Sequence, residues 1–474
     1  MSRICPKCAI VLLILCAGFA GCRSNSTFSS QTPASGTAPV VLALTDSPPT
    51  NVSILSAEVT LTGATLNPGN VPLLASPATL ELTRLQTDIA YLSTTSVNAG
   101  SYTSLSLTFA NPLLTIENDT ASPIVSGATT CNVGKICTIA PTSTANLSTT
   151  ITLPALTISN NTGAGLLVDV NLENLLSATL GADFKNGTTV SQFTPAGSGA
   201  PLVGAEDVVG QVTSMDTVHN TFSFQNAIGL FSLTVDNTTT FLQFPSNLCT
   251  ASVFACLRDK QILSVDISIR SDGTPVARNV LFEDSDSSDT EVEGMITTTN
   301  VGLQQFTIVT LAESATIAGL NIGDTATVQY TIVTPFNVDF THADNAPVDT
   351  SCCVFNMPVD LSVGQQVSIR RNTSSSGNLI NADRVRLRSS RITATVQPGT
   401  ASPNILLSNL PSLFSGHGVT QIQAQTSTQT ILSENGVAIP FTQIPVSSVV
   451  SVRGPLFNVS GARTLVATKV VLKP

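Results

Sequence analysis

"TFSFQNAIGLFSLTVDNTTTF", residues 221–241, places Phe222 and Phe224 at alternate positions, the period-two signature of a strand with one buried face. The same alternation runs through "AEVTLTG" (57–63), "TSLSLTF" (103–109) and "QQVSIRR" (365–371). Thr, Val, Ile and Leu dominate, and apolar residues are scattered among Thr, Ser and Asn instead of gathering in long blocks. That is the habit of sheets, so the chain is expected to be all-β, with many of its 19 Phe residues in cores.

Outward from this stretch the chain repeats itself. "VVGQVTSMD" from Val208, "VEGMITTTN" from Val292 and "RITATVQPG" from Arg391 open alike. "GTPVARNVLFED", "GNLINADRVRLRS" and "ARTLVATKVVLKP" close alike, with Ala277, Ala382 and Ala467 each three residues before Val280, Val385 and Val470. Just upstream lie "VDISIRSDG", "GQQVSIRRN" and "VVSVRGPLF", one strand each. The unit of about 80 to 100 residues holds an opening strand, a hairpin, a variable loop, a further strand and a closing strand, which fits a small antiparallel barrel of OB type. The expected repeats span 201–290, 291–390 and 391–474. This pattern resembles a bacterial family of unknown function, number 5666, found as tandem copies in exported proteins. Residues 221–241 look like its central hairpin.

Residues 39–200 form a separate unit. "LALTDSPPTNVSILSAEVTLTGATL", "LELTRLQTDIAYLSTTSVNAGSYTSLSLTFAN" and "GLLVDVNLENLLSA" mark its beginning, middle and end. Asp46 to Pro49 and Asn98-Ala99-Gly100 read as turns. These three stretches resemble a family of bacterial surface lipoproteins, the domain of unknown function number 4382. The resemblance implies an exported, mostly β domain and supplies no activity. The architecture expected of the whole chain is thus an N-terminal antiparallel β-sandwich followed by three OB-like barrels.

The first 21 residues read as a signal peptide: Arg3 and Lys7, then a dozen apolar residues from Ala9, too few to span a bilayer. Phe19-Ala20-Gly21-Cys22 resembles the bacterial lipoprotein signal, in which the cysteine is acylated and becomes the mature N-terminus. Cys22 is therefore the candidate lipidation site, with residues 22–38, rich in Ser, Thr, Asn, Pro and Gly, as a disordered tether. By resemblance to the Gram-negative sorting rule, Arg23 directs the chain to the outer membrane, on its periplasmic or surface face. An ordinary signal peptide with an incidental Cys22 is the alternative.

With 474 residues, three or four domains are expected from length alone. A net charge of −10 disfavours nucleic acid as a partner, and the absence of Trp with only three Tyr weakens a carbohydrate platform. Export makes disulfides plausible for Cys131 with Cys137 and for Cys249 with Cys256, while Cys352 and Cys353 admit a vicinal bridge, another chain or the reduced state. Catalytic groups are sparse: His219, His342 and His417 stand in different repeats, with neither GxSxG nor HExxH, so a non-enzymatic chain is expected. The sharpest cluster is "FEDSDSSDTEVEG" at 282–294, where Asp284, Asp286 and Asp289 are candidate calcium ligands, no other cofactor being indicated. The bland reading is a solvated acidic linker holding two barrels apart. A lipid-anchored protein binding an envelope or extracellular ligand, or serving a structural role there, is the expectation. The alternatives are an exported enzyme or enzyme accessory with a site between the first domain and the first repeat, which a pocket gathering His219 with carboxylates would favour, and carbohydrate-binding repeats.

Overall fold

The computed structural model describes residues 36–47, 53–193, 204–226, 230–246, 248–249, 253–270, 273–285, 290–314, 317–338, 352–434 and 437–473. Cys22, Asp286, Asp289 and His342 lie outside the described residues. The chain is all-β, with two packed sheets in its N-terminal part and three closed five-stranded barrels after them.

In the first barrel the strands Gly204–Asp216, Thr221–Gln225, Leu230–Thr234, Ile262–Ile269 and Pro275–Asp284 pair in the order third, second, first, fourth, fifth. A parallel contact between third and fifth, Thr234 opposite Val276, closes the ring. This is the OB order, and closure leaves no open edge. The second barrel repeats it with Glu291–Asn300, Gln305–Glu313, Thr325–Gln329, Gln366–Arg371 and Leu379–Leu387. The third uses Ser389–Val396, Asn404–Ser408, Ile422–Gln425 and Val449–Val459, and its fifth strand is broken into Ala462–Val466 and Lys469–Leu472.

The sequence repeat is a repeat of register. Val280, Val385 and Val470 stand opposite Val265, Ile369 and Val452 on the fourth strand, and opposite Phe241, Phe336 and Leu432 on a short sixth strand. A polar device missing from the sequence reading accompanies them. Thr239, Thr334 and Thr430 each donate to the carbonyl of the buried alanine, Ala277, Ala382 or Ala467, at 2.6, 3.1 and 2.7 Å. Each also accepts from the backbone N–H three residues upstream, so one hydroxyl closes a turn and fixes the fifth strand.

The N-terminal sheets are Thr188–Phe193, Ala164–Asn171, Thr37–Ser47, Ala90–Asn98 and, facing it, Ser148–Ile158, Gly100–Glu117, Ile54–Asn67, Val71–Pro72 with two short additions. Their inward faces share one core that includes Leu42, Leu61, Leu66 and Phe109, and Phe109 stacks on Phe184 at 4.7 Å. The sandwich is mainly antiparallel, as expected, with two parallel pairings, of which one, Thr144–Ala145 with Ala182–Asp183, is short. Thr37–Ser47 runs parallel to Ala164–Asn171, because the chain crosses to the other sheet between them. The same strand carries on through Asp46 and Ser47, where a turn was expected.

The sandwich touches all three barrels. Val41, Tyr91 and Phe193 pack with Ile269 of the first, and Leu55 packs with Val309 and Leu311 of the second and Leu413 of the third. Thr94 and Thr115 donate across these seams to the carbonyls of Gly273 and Gly323, both at 2.7 Å. No helix among the described residues is long and apolar enough to cross a membrane.

Candidate functional site

Arg384 and Arg386 in the fifth strand of the second barrel and Arg388, one residue past its end, fall two apart on one face while Val385 and Leu387 fill the barrel core. That face meets Glu283, at the end of the first barrel. Its buried carboxylate pairs with the three guanidiniums at 2.9, 2.7 and 3.3 Å. Arg384 also reaches Glu291 at 2.6 Å, Arg388 reaches Glu293 at 3.2 Å, and Glu293 extends the network to Arg84 of the sandwich at 2.7 Å. Burial pushes Glu283 up to about 7, with Glu291 adding to the push and the arginines opposing it.

The described carboxylates of the acidic stretch are therefore not solvated. Glu283, Asp284, Glu291 and Glu293 are buried, and Asp284 is engaged by Arg370 at 2.8 Å, because arginines about a hundred residues downstream fold back against them. Ion pairs of this kind contribute little net stability but are costly to break, so they hold one mutual orientation of the barrels.

A second buried group joins sandwich and third barrel. The turn Leu82–Gln86 is capped by Glu81, whose carboxylate accepts from the N–H groups of Thr83 and Arg84 at 3.2 and 3.0 Å. Thr45 then donates to the carbonyls of Leu85 and Asp88, which sets Asp88 at the seam. Arg391 donates to Asp88 Oδ2 through Nε at 2.8 Å and Nη2 at 2.5 Å, with Arg453 Nε at 3.8 Å and Lys469 Nζ at 3.9 Å. Burial opposes ionisation of Asp88, but Arg391, Arg453 and Lys469 outweigh it and hold the carboxyl well below the usual range. At the same seam Lys473 donates to the Gln86 carbonyl at 2.9 Å, and burial lowers its ammonium pKa.

Beside Asp88 lies a cavity of about 90 Å³. Leu85 and Tyr91 of the sandwich, Phe231 and Ile267 of the first barrel, and Leu311 and Glu313 of the second form its wall. Tyr91 and Phe231 meet across it with ring centroids 6.2 Å apart. Its lining, mostly apolar with a few polar groups, is the kind found in small-molecule sites. Glu313 is only 6% exposed, and its Oε1 has no hydrogen-bond partner. Burial pushes this carboxyl up to about 7.

The cavity lies between first domain and first repeat, where an enzyme site was weighed, but the structure does not bring His219 to it. That ring is 74% exposed at a hairpin tip and pairs with Asp216 at 2.6 Å. His417 caps the short helix Ser412–Ser415, its Nδ1 2.9 Å from the Leu413 carbonyl. Cys131 with Cys137, Cys249 with Cys256, and Cys352 with Cys353 stand at bonding distance, the first two pairs with Cα atoms 5.7 and 5.3 Å apart. Among the described residues no cluster of ligating side chains forms a metal site. Asp88, the arginine row and Glu313 are not legible as site residues in the sequence. Only the row left a trace, in the alternation of "RVRLR" (384–388).

No protein-family model matches the chain, and a search of curated proteins returned no match.

Proposed function

We propose that the chain is an exported, lipid-anchored binding protein of the outer membrane, without catalytic activity, whose ligand occupies the cavity between sandwich and barrels. The observation that carries this is the cavity itself, walled by the sandwich, the first two barrels and Arg391 of the third, modules that two buried ion networks hold in place. Its lining is mostly aliphatic and aromatic, and most of its charged groups are committed to one another, a surface suited to holding a molecule. The anchor would be Cys22, on the strength of the leader that precedes it. The resemblance to families 4382 and 5666 supports export and leaves the ligand open.

Two measurements test the two halves. Intact-mass analysis and fractionation of the native protein beside Cys22→Ser should show a diacylglyceryl mass and membrane retention that the variant loses; a soluble, unlipidated native protein overturns the anchor. The soluble Cys22→Ser chain should take up an apolar fluorophore such as N-phenyl-1-naphthylamine, and Ala312→Phe, which places a ring on the cavity wall, should abolish uptake. Uptake unchanged by Ala312→Phe would remove the cavity as the site.

A further inference from the structure

We infer that the junction cavity selects an apolar molecule bearing one amine, with Glu313 as its counter-ion; the inference rests on the cavity being the ligand site. The polar groups around the wall differ in what they have left to offer. Glu81 accepts from the N–H groups of Ala57, Thr83 and Arg84 and from the Thr83 hydroxyl. Asp88 is held by Arg391 and Arg453, and Arg84 by Glu293. Arg391, besides Asp88, donates to Gln366 at 3.0 Å. Asp88 Oδ1 likewise lacks a hydrogen bond but has the Lys469 ammonium at 3.9 Å, whereas Glu313 is buried on the same wall with Oε1 unsatisfied.

A buried acceptor without a donor is costly, and a ligand that supplies the donor recovers that cost. An alkyl alcohol offers one neutral hydrogen bond. A fatty acid or phosphate ester brings like charge toward the carboxylate. An ammonium offers a charge-assisted bond, the strongest of these, and its tail suits the apolar wall. The groups that act on Glu313 are the Arg371 guanidinium, the carboxylates of Asp324 and Glu58, and the Ile317 backbone. Burial outweighs Arg371, so Glu313 holds its proton in mildly acidic solution and is free to pair with an ammonium in mildly alkaline solution.

The test titrates dodecylamine, dodecanol and dodecanoate, each below its micelle concentration, into the Cys22→Ser chain by calorimetry. Near pH 8 the amine should bind at least about tenfold more tightly than the alcohol, and the gap should narrow toward pH 5.5. Adding Glu313→Gln should erase the amine's advantage and leave dodecanol unchanged, with circular dichroism confirming the fold. The pH profile of the unaltered chain serves if that variant does not fold. Equal affinities of amine and alcohol, an advantage that survives Glu313→Gln, or tightest binding of dodecanoate overturns the amine inference and leaves the cavity as a site. Binding of none of the three overturns both.

Discussion

Asp88→Ala should destabilise the fold more than any surface carboxylate would. The variant leaves Arg391, Arg453 and Lys469 facing one another with their shared anion gone. Arg391 has then lost the partner at 2.8 and 2.5 Å, and Arg453 is fully buried. Removing one member of a buried ion cluster costs about 3–5 kcal/mol, whereas an exposed pair contributes about 0–1. Because Asp88 titrates well below its ordinary value, its contribution is complete above the unfolded carboxylate pKa of about 4 and is lost only as pH falls through the depressed folded value. Between about pH 5 and 8 the loss in the variant should therefore be constant. Guanidinium or urea unfolding of the Cys22→Ser chain, with and without Asp88→Ala, measures it. Added salt in the urea series should change it little, since buried pairs are weakly screened. A companion Asp88→Leu/Arg391→Met should recover part of the loss by replacing charge with apolar packing. A loss below about 1 kcal/mol, or one that vanishes with salt, would refute the account of Asp88 as the anion that pins the third barrel.

Glu313 carries a pH signature of the opposite sign. Its folded pKa is raised to about 7, so its stabilising share is complete below about 4.3 and disappears as pH rises through 7. Glu313→Gln should flatten the decline in stability between about pH 5.5 and 8 by roughly 2 kcal/mol, allowing for partial solvent access, and parallel melts at the two pH values read it. Gly454→Ala should lower stability by about 3 kcal/mol, because a Cβ there would sit against the Val466 carbonyl where the fourth and fifth strands of the third barrel cross; an unchanged melting temperature would refute this. Opening the Cys131–Cys137 or Cys249–Cys256 loop with a double serine variant should cost about 2 kcal/mol each by loop entropy and leave the strand content seen by circular dichroism intact.

The barrels were legible because their information is local. Phe222 and Phe224 alternate, and both are buried, at 1% and 0% exposure. The alanine and valine of each closing segment recur at a fixed spacing, and the register preserves it. The junction was not legible, because what defines it is pairing across long separations. "RVRLR" alternates as a strand with a wet charged face does, and "EVE" (291–293) reads as an acidic loop; each looks solvated until the other is placed against it. Asp88 is a single carboxylate in "LQTDIAYL" (85–92), 303 residues before its partner Arg391, and nothing in its neighbours distinguishes it. Glu313 closes an otherwise ordinary strand, and its burial comes from the modules docked around it.

The strand Thr37–Ser47 has a mechanical consequence. It lies inside its sheet, with eight register pairs to Ala164–Asn171 on one side and eight to Ala90–Asn98 on the other. A pull applied at Thr37 along the strand loads both ladders in shear, so their hydrogen bonds resist together instead of unzipping one at a time. Because the sandwich contacts each barrel directly, the barrels hang from it in parallel rather than in series. Tension at the N-terminal end is borne by that one strand, which also meets the cavity's seams through Thr45 and Val41.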